Sequence, residues 1–229
     1  MAFKYTINER RLMAVINSGS NLFLIPVILL TYKKNNIYSL FLAFFSMITS
    51  IFYHICESLK VIIFLPNLKW HELDNIGAIC SLNTLILVLS SYFPKIETQN
   101  KLNYFSTFIV LIWQQRGPWY IQNTLYPIFI FFIIVAYDIF KNGFPKFNKN
   151  AMKYGGINMF FAIIMYIKGL DDANDYLRIY HALWHVFIGL SSFYLYQLQE
   201  KECLYLNNVI KDFFNKFKGK NYLKEKIIK

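Results

Sequence analysis

Only three of the 229 residues are cysteine: Cys56, Cys80 and Cys203. They make no disulfide framework. Cys56 and Cys80 fall in apolar stretches and read as small packing residues. Cys203 follows the last apolar stretch, where it carries a weak palmitoylation signal. Acidic residues are also few, 13 against 24 Lys and Arg, and no Lys or Arg interrupts the cores of the long apolar runs. The opening MAFKYTINERRLMAV has no short apolar core followed by a small-residue cleavage site. It therefore reads as lacking a removable signal peptide, and the first span is expected to direct insertion. No H-E-x-x-H occurs, which excludes the soluble metalloprotease pattern.

What the chain has in abundance is apolar surface. It is 56% hydrophobic, with 23 Phe and 17 Tyr, and its long uncharged runs fit a polytopic membrane protein better than a soluble domain. The expected spans are 12–31, 37–58, 74–93, 102–115, 119–140, 151–168 and 178–199. Helices suit this setting because each satisfies its own backbone hydrogen bonds in lipid. The expected fold is therefore all-α: a seven-transmembrane helical bundle over 1–199, followed by a short basic tail over 200–229. The polar run Asn17 to Asn21 weakens the first span, and the fourth is short. In the tail, Phe213, Phe214 and Phe217 recur at helical spacing among lysines. That pattern fits either a basic amphipathic helix on a membrane surface or a disordered solubilising tail.

Seven spans put the termini on opposite sides. More Lys and Arg fall on the side of the C-terminus, mostly in the tail, so the C-terminus is expected in the cytoplasm and the N-terminus on the exoplasmic side. The net charge of +11 then reads as loops and a tail that meet anionic lipid headgroups, with no nucleic-acid partner. Membrane lipids are the expected partners, at the plasma membrane or in the secretory pathway. Self-association is left open.

Ionisable residues inside spans are candidates for function. Here they are His54 and Glu57 near the end of span two, Asp74 at the start of span three, and His181 and His185 near the start of span seven. Asp138, at the end of span five, reads as interfacial. Alternating span direction brings the first five to the same face, and a rise of about 1.5 Å per residue sets the three histidines at similar depth. Three neutral imidazoles and an open position are what a catalytic Zn²⁺ uses, and His181 and His185, at i and i+4, can share one ion. Ser50 lies one turn before His54 on the same helix face, and Glu57 at i+3 can orient an imidazole. Asp74 reads either as a proton acceptor or as a helix N-cap. His71 reads as an exposed loop residue. The loop carrying Asp171, Asp172 and Asp175 reads as solvated, with Ca²⁺ binding the weaker alternative.

The pattern S-x3-H, then Asp, then H-x3-H across three spans resembles the CREST superfamily of seven-span membrane proteins. "FYHICES", "ELDNIGAICS" and "YLRIYHALWHVFIGLSS" look most like the transmembrane protein 8 and myomaker branch, and the likeness runs from about 12 to 199. The resemblance implies Zn²⁺ on His54, His181 and His185, with Ser50 and Asp74 completing a catalytic site. Several members of that superfamily are lipid hydrolases that cut an amide or an ester, as ceramidases and a phospholipase do. Myomaker itself acts in cell fusion. Two expectations follow: a zinc-dependent lipid hydrolase with its site near the exoplasmic face, or a non-catalytic protein of adhesion or fusion with a structural zinc. Cys56-Glu57 departs from the usual Cys-Asp of the superfamily.

Overall fold

The computed structural model describes residues 4–171, 173–206, 208–211 and 214–215. Among them the chain is helical, with no strand and one isolated bridge between Ile63 and Leu65. The helices are α1 (Ile7–Ser20), α2 (Ile25–Lys33), α3 (Ile37–Leu59), α4 (Asn67–Leu87), α5 (Ile96–Gln114), α6 (Ile121–Asn142), α7 (Lys149–Gly169) and α8 (Ile179–Leu195). A 3₁₀ turn, Asn21–Leu24, joins α1 to α2 in one 27-residue rod. That rod, α3 and α6 are long and apolar enough to cross a membrane.

Each element has a local cause. Thr6 opens α1 with a capping box: its hydroxyl accepts from the Glu9 amide, while the Glu9 carboxylate accepts from the Thr6 amide. The polar run from Asn17 is where α1 tightens into the 3₁₀ turn. The Asn17 Nδ2 donates both to the Met13 carbonyl and to the Leu177 carbonyl across the bundle, at 2.9 and 3.1 Å. Pro66 starts α4, seven residues earlier than the hydropathy signal for span three. Asp74 is thus two turns inside a helix and does not serve as its N-cap, and His71 belongs to that helix, not to a loop.

Helix pairs meet where one side chain is small. An added Cβ on Gly77 of α4 would sit 2.7 Å from the Ser46 Oγ of α3, and one on Gly189 of α8 would sit 2.7 Å from the Phe23 carbonyl oxygen. Close approach over glycine and serine is how helices gain dispersion energy in lipid, where burial from water is no driving force. Polar side chains fix the register. Asp138, read from the sequence as interfacial, is fully buried: it accepts from the Ser91 amide and hydroxyl at 2.6 and 2.9 Å and from Asn142 at 2.7 Å. It thereby pins the turn after α4 to the end of α6.

The bundle also continues past residue 199. Gln197 Oε1 accepts from the Leu204 amide at 2.7 Å, and Val209 packs with Val27, Leu30 and Phe193. Phe213, Phe217 and the rest of the expected amphipathic tail lie outside the described residues, apart from an exposed Phe214. Cys56 and Cys80 are buried free thiols, as their apolar setting suggested.

Gly77→Val should force α3 and α4 apart beside Ser46. Overpacking of this kind costs about 1–3 kcal/mol. Thermal unfolding in detergent is expected to show a lower midpoint, with Gly156→Val, at a position open to space, as the near-neutral control.

Candidate metal centre

Three elements supply the centre. α3 carries Ser50, His54 and Glu57, α4 carries Asp74, and α8 carries His181 and His185. Ser46, Ser50 and His54 follow one another at i, i+4 along α3, all buried, so the stripe that packs on Gly77 also delivers His54. On α8 the turn between His181 and His185 brings the two rings together edge to face, with centroids 4.7 Å apart.

The start of α8 is set with unusual care. Leu177 and Arg178 both hold left-handed backbone, at φ 55° and 54°. Such angles are costly for residues with a Cβ and persist only where the surroundings enforce them. The enforcing group is Asp175. Its buried carboxylate accepts from the Tyr180 and His181 amides at 2.9 and 3.1 Å, satisfying two orphan donors of the first turn. Asp175 therefore is not part of a solvated acidic loop. Asp171 does stay at the surface, accepting from Ala173 and Asn174, and Asp172 lies outside the described residues. At the far end of α7, Gly169 lets the two helices close up, since an added Cβ would lie 3.1 Å from the His181 amide nitrogen.

With both helices so placed, one nitrogen from each of His54, His181 and His185 lies within 4.8 Å of the others. The Nε2 atoms of His54 and His181 are 3.3 Å apart. His54 and His185 are buried, while His181 is partly exposed and marks the open side. This arrangement can hold a metal ion.

The outer nitrogens are held by residues the histidine pattern does not reveal. Ser20 Oγ donates its single proton to the Asn17 carbonyl at 2.8 Å and lies 2.9 Å from His185 Nδ1. With that proton on the Asn17 carbonyl, the hydroxyl accepts from Nδ1–H and Nε2 keeps its lone pair. His54 Nδ1 is buried without a hydrogen bond, and Glu57 Oε2 lies 3.6 Å from it. Glu57 is itself fixed twice: the Tyr53 hydroxyl donates to Oε1 at 2.9 Å, and Arg178 Nη1 donates to Oε2. This clamp joins the end of α3 to the start of α8, the two elements that carry the histidines.

Ser50 of α3 and Asp74 of α4 lie near one another and near His54, close enough to interact electrostatically. His71 is not a fourth ligand. Its ring stacks on Tyr53 and against Trp119, with centroids 4.7 and 4.0 Å away. Sequence spacing found the three histidines, Ser50, Glu57 and Asp74. It missed Ser20, whose signal is hidden by the 3₁₀ turn, and Arg178, which reads as an ordinary juxtamembrane charge.

Residues 9–186 match the sequence profile of a family described as Protein of unknown function (DUF3522). The match spans Ser20, Ser50, His54, Asp74, Arg178, His181 and His185. No curated protein matches the chain.

Arg178→Gln should destabilise the protein by about 2 kcal/mol, because Glu57 would keep a largely buried charge without its cation. The double variant Glu57→Gln, Arg178→Gln should recover part of that loss. Thermal unfolding of the two variants in detergent gives the comparison.

Proposed function

The chain belongs to the DUF3522 family, and from that premise and the geometry of its histidines we propose a zinc-dependent membrane lipid hydrolase of seven spans. The observation that carries the reading is the convergence of three imidazole nitrogens within 4.8 Å, with Ser50 and Asp74 close by. Two nitrogens on one tetrahedral zinc, at about 2.05 Å each, are roughly 3.3 Å apart. The His54–His181 separation of 3.3 Å has that value already. All three donors are imidazole nitrogens, and Ser20 lies 2.9 Å from the outer nitrogen of His185, placed to orient that ring.

Zn²⁺ held by His54, His181 and His185 would supply a Lewis acid for an ester or amide carbonyl and would acidify a water molecule. The chain's own residues do the rest. Asp74, close to His54, takes the proton of the attacking water. Ser50 then donates to the oxygen that gains negative charge. Arg178 and Glu57 keep α8 against α3, so that His54 does not drift from His181 and His185. The partly exposed His181 faces the side from which a substrate enters.

The seven-span reading places the site near the exoplasmic leaflet, with the N-terminus outside and the C-terminus in the cytoplasm, in the plasma membrane or the secretory pathway. A second reading, a non-catalytic protein of adhesion or fusion with a structural zinc, is favoured by one contact. Ser50 and Asp74 approach one another across the α3–α4 contact, which suits a brace between the two helices as well as it suits catalysis.

Metal analysis of detergent-purified protein is expected to find about one zinc per chain, lost in His54→Ala and His185→Ala. Ser20→Ala should keep the fold and weaken zinc binding about 10- to 100-fold, measured by competition with a chelator. For chemistry, wild-type and Asp74→Asn proteins are compared by lipidomics of reconstituted membranes. Hydrolysis products from the wild type alone, with zinc retained in both, support the enzyme. Identical lipid profiles remove it and leave the structural zinc.

A further inference from the structure

The connector between α3 and α4 is apolar on both of its faces. Ile63 and Leu65 turn inward onto Tyr53, Cys56 and Trp70. Their neighbours Ile62 and Phe64 turn outward and are 77% and 88% exposed, with Val61 and Leu68 exposed beside them. A surface segment in water alternates apolar with polar; one covered on both sides does not. The outward pose is built in. Phe64 sits at φ 59°, an uncommon angle for a bulky residue, and the Ile63 carbonyl accepts both the Trp70 indole N–H at 2.8 Å and the Leu65 amide at 2.6 Å. The connector is thus held in shape by Trp70, with its apolar tip presented.

What covers that tip follows from where it sits. α3 is one of the three rods that qualify to cross a membrane, and its 23 residues span about 34 Å against a hydrocarbon core of about 30 Å. A connector starting at its last residue lies at headgroup depth. Phe52 of α3 stacks on Trp70 at 4.7 Å and meets Phe64 edge-on at 6.2 Å, so the tip continues the aromatic side of the helix. At the same end of the bundle Trp119 and Tyr120 are exposed, and Trp119 packs on His71 of α4. Exposed Trp and Tyr mark the membrane–water boundary. The flanking Lys60 is an exposed cation able to reach headgroup phosphates, while Lys69 is paired with Glu72 at 2.7 Å.

We propose that residues 61–68 form an interfacial anchor whose outward face, led by Ile62 and Phe64, lies in the boundary between headgroups and acyl chains of the leaflet on the histidine side. The anchor stands whether or not the histidine centre is catalytic. In either case it fixes the depth of that centre, because Trp70 ties the connector to α4 four residues before Asp74.

The test uses the full chain with Cys203→Ser and Phe64→Cys, labelled with an environment-sensitive fluorophore and reconstituted in phosphatidylcholine–phosphatidylserine vesicles. Cys56 and Cys80 are buried and stay unlabelled. Glu97→Cys, an exposed position on α5, is the solvent reference. The expected result is a blue-shifted emission at position 64. It should be quenched by lipid carrying a nitroxide near its headgroup and spared by acrylamide present on both sides, with the reverse at position 97. Ile62→Cys should behave like position 64. Acrylamide quenching at 64 equal to that at 97 would put the tip in water. Quenching by neither agent would mean that protein covers it. Either result overturns the anchor.

Discussion

Hydrocarbon offers a polar atom no partner, so every polar group that this bundle carries inward must find one inside the protein. That constraint organises the molecule more than any apolar contact does. Asn17 bridges to the Leu177 carbonyl, Asp138 to Ser91, and Gln199 to the carbonyls of Val88 and Ser90. Each bond is modest in energy, about 0.6–2 kcal/mol in a membrane setting. Each is also directional, and so fixes one helix against another in rotation and height. Apolar packing alone would leave the helices free to slide.

The histidine centre is the most concentrated case. Three imidazoles have six ring nitrogens to account for, and the protein accounts for them unevenly. The outer nitrogen of His185 has Ser20, while that of His54 has only Glu57 at a distance slightly beyond hydrogen bonding. The inner nitrogens face one another. A set of acceptors pointed at a common centre stabilises nothing by itself, which is why a bound cation suits it. The surrounding work, from the Asp175 cap to the Gly169 contact, serves to keep α8 where its first two turns can take part.

Much of this was readable without coordinates. The reading that His54, His181 and His185 meet agrees with their convergence within 4.8 Å, and i, i+4 spacing put Ser50 on the face of His54. Both rest on regular helix geometry. The parts that resisted are those where the chain leaves the regular helix. Hydropathy cannot show that α1 tightens at Asn21 and so aims Ser20 at His185. Nor can it show that Leu177 and Arg178 turn left-handed, or that Asp175 is buried and not solvated. The early start of α4 was missed for a related reason: Lys69, His71 and Glu72 made its first turns look like a loop, although Pro66 is a sound helix start. The partners of Asp138 were not legible, because one of them is the backbone of a distant turn, which no periodicity encodes.

The pair of left-handed residues before α8 has a further meaning for how this chain can vary. Asp175 reaches over Leu177 and Arg178 to grasp two amides, so the distance from that carboxylate to the helix is set residue by residue. One added or deleted residue there would rotate α8 by about 100° and swing both of its imidazoles off the shared centre. Among relatives, this connector should keep its length even where its composition drifts, whereas the exposed stretch just before it, around Asp171 and Ala173, is free to grow.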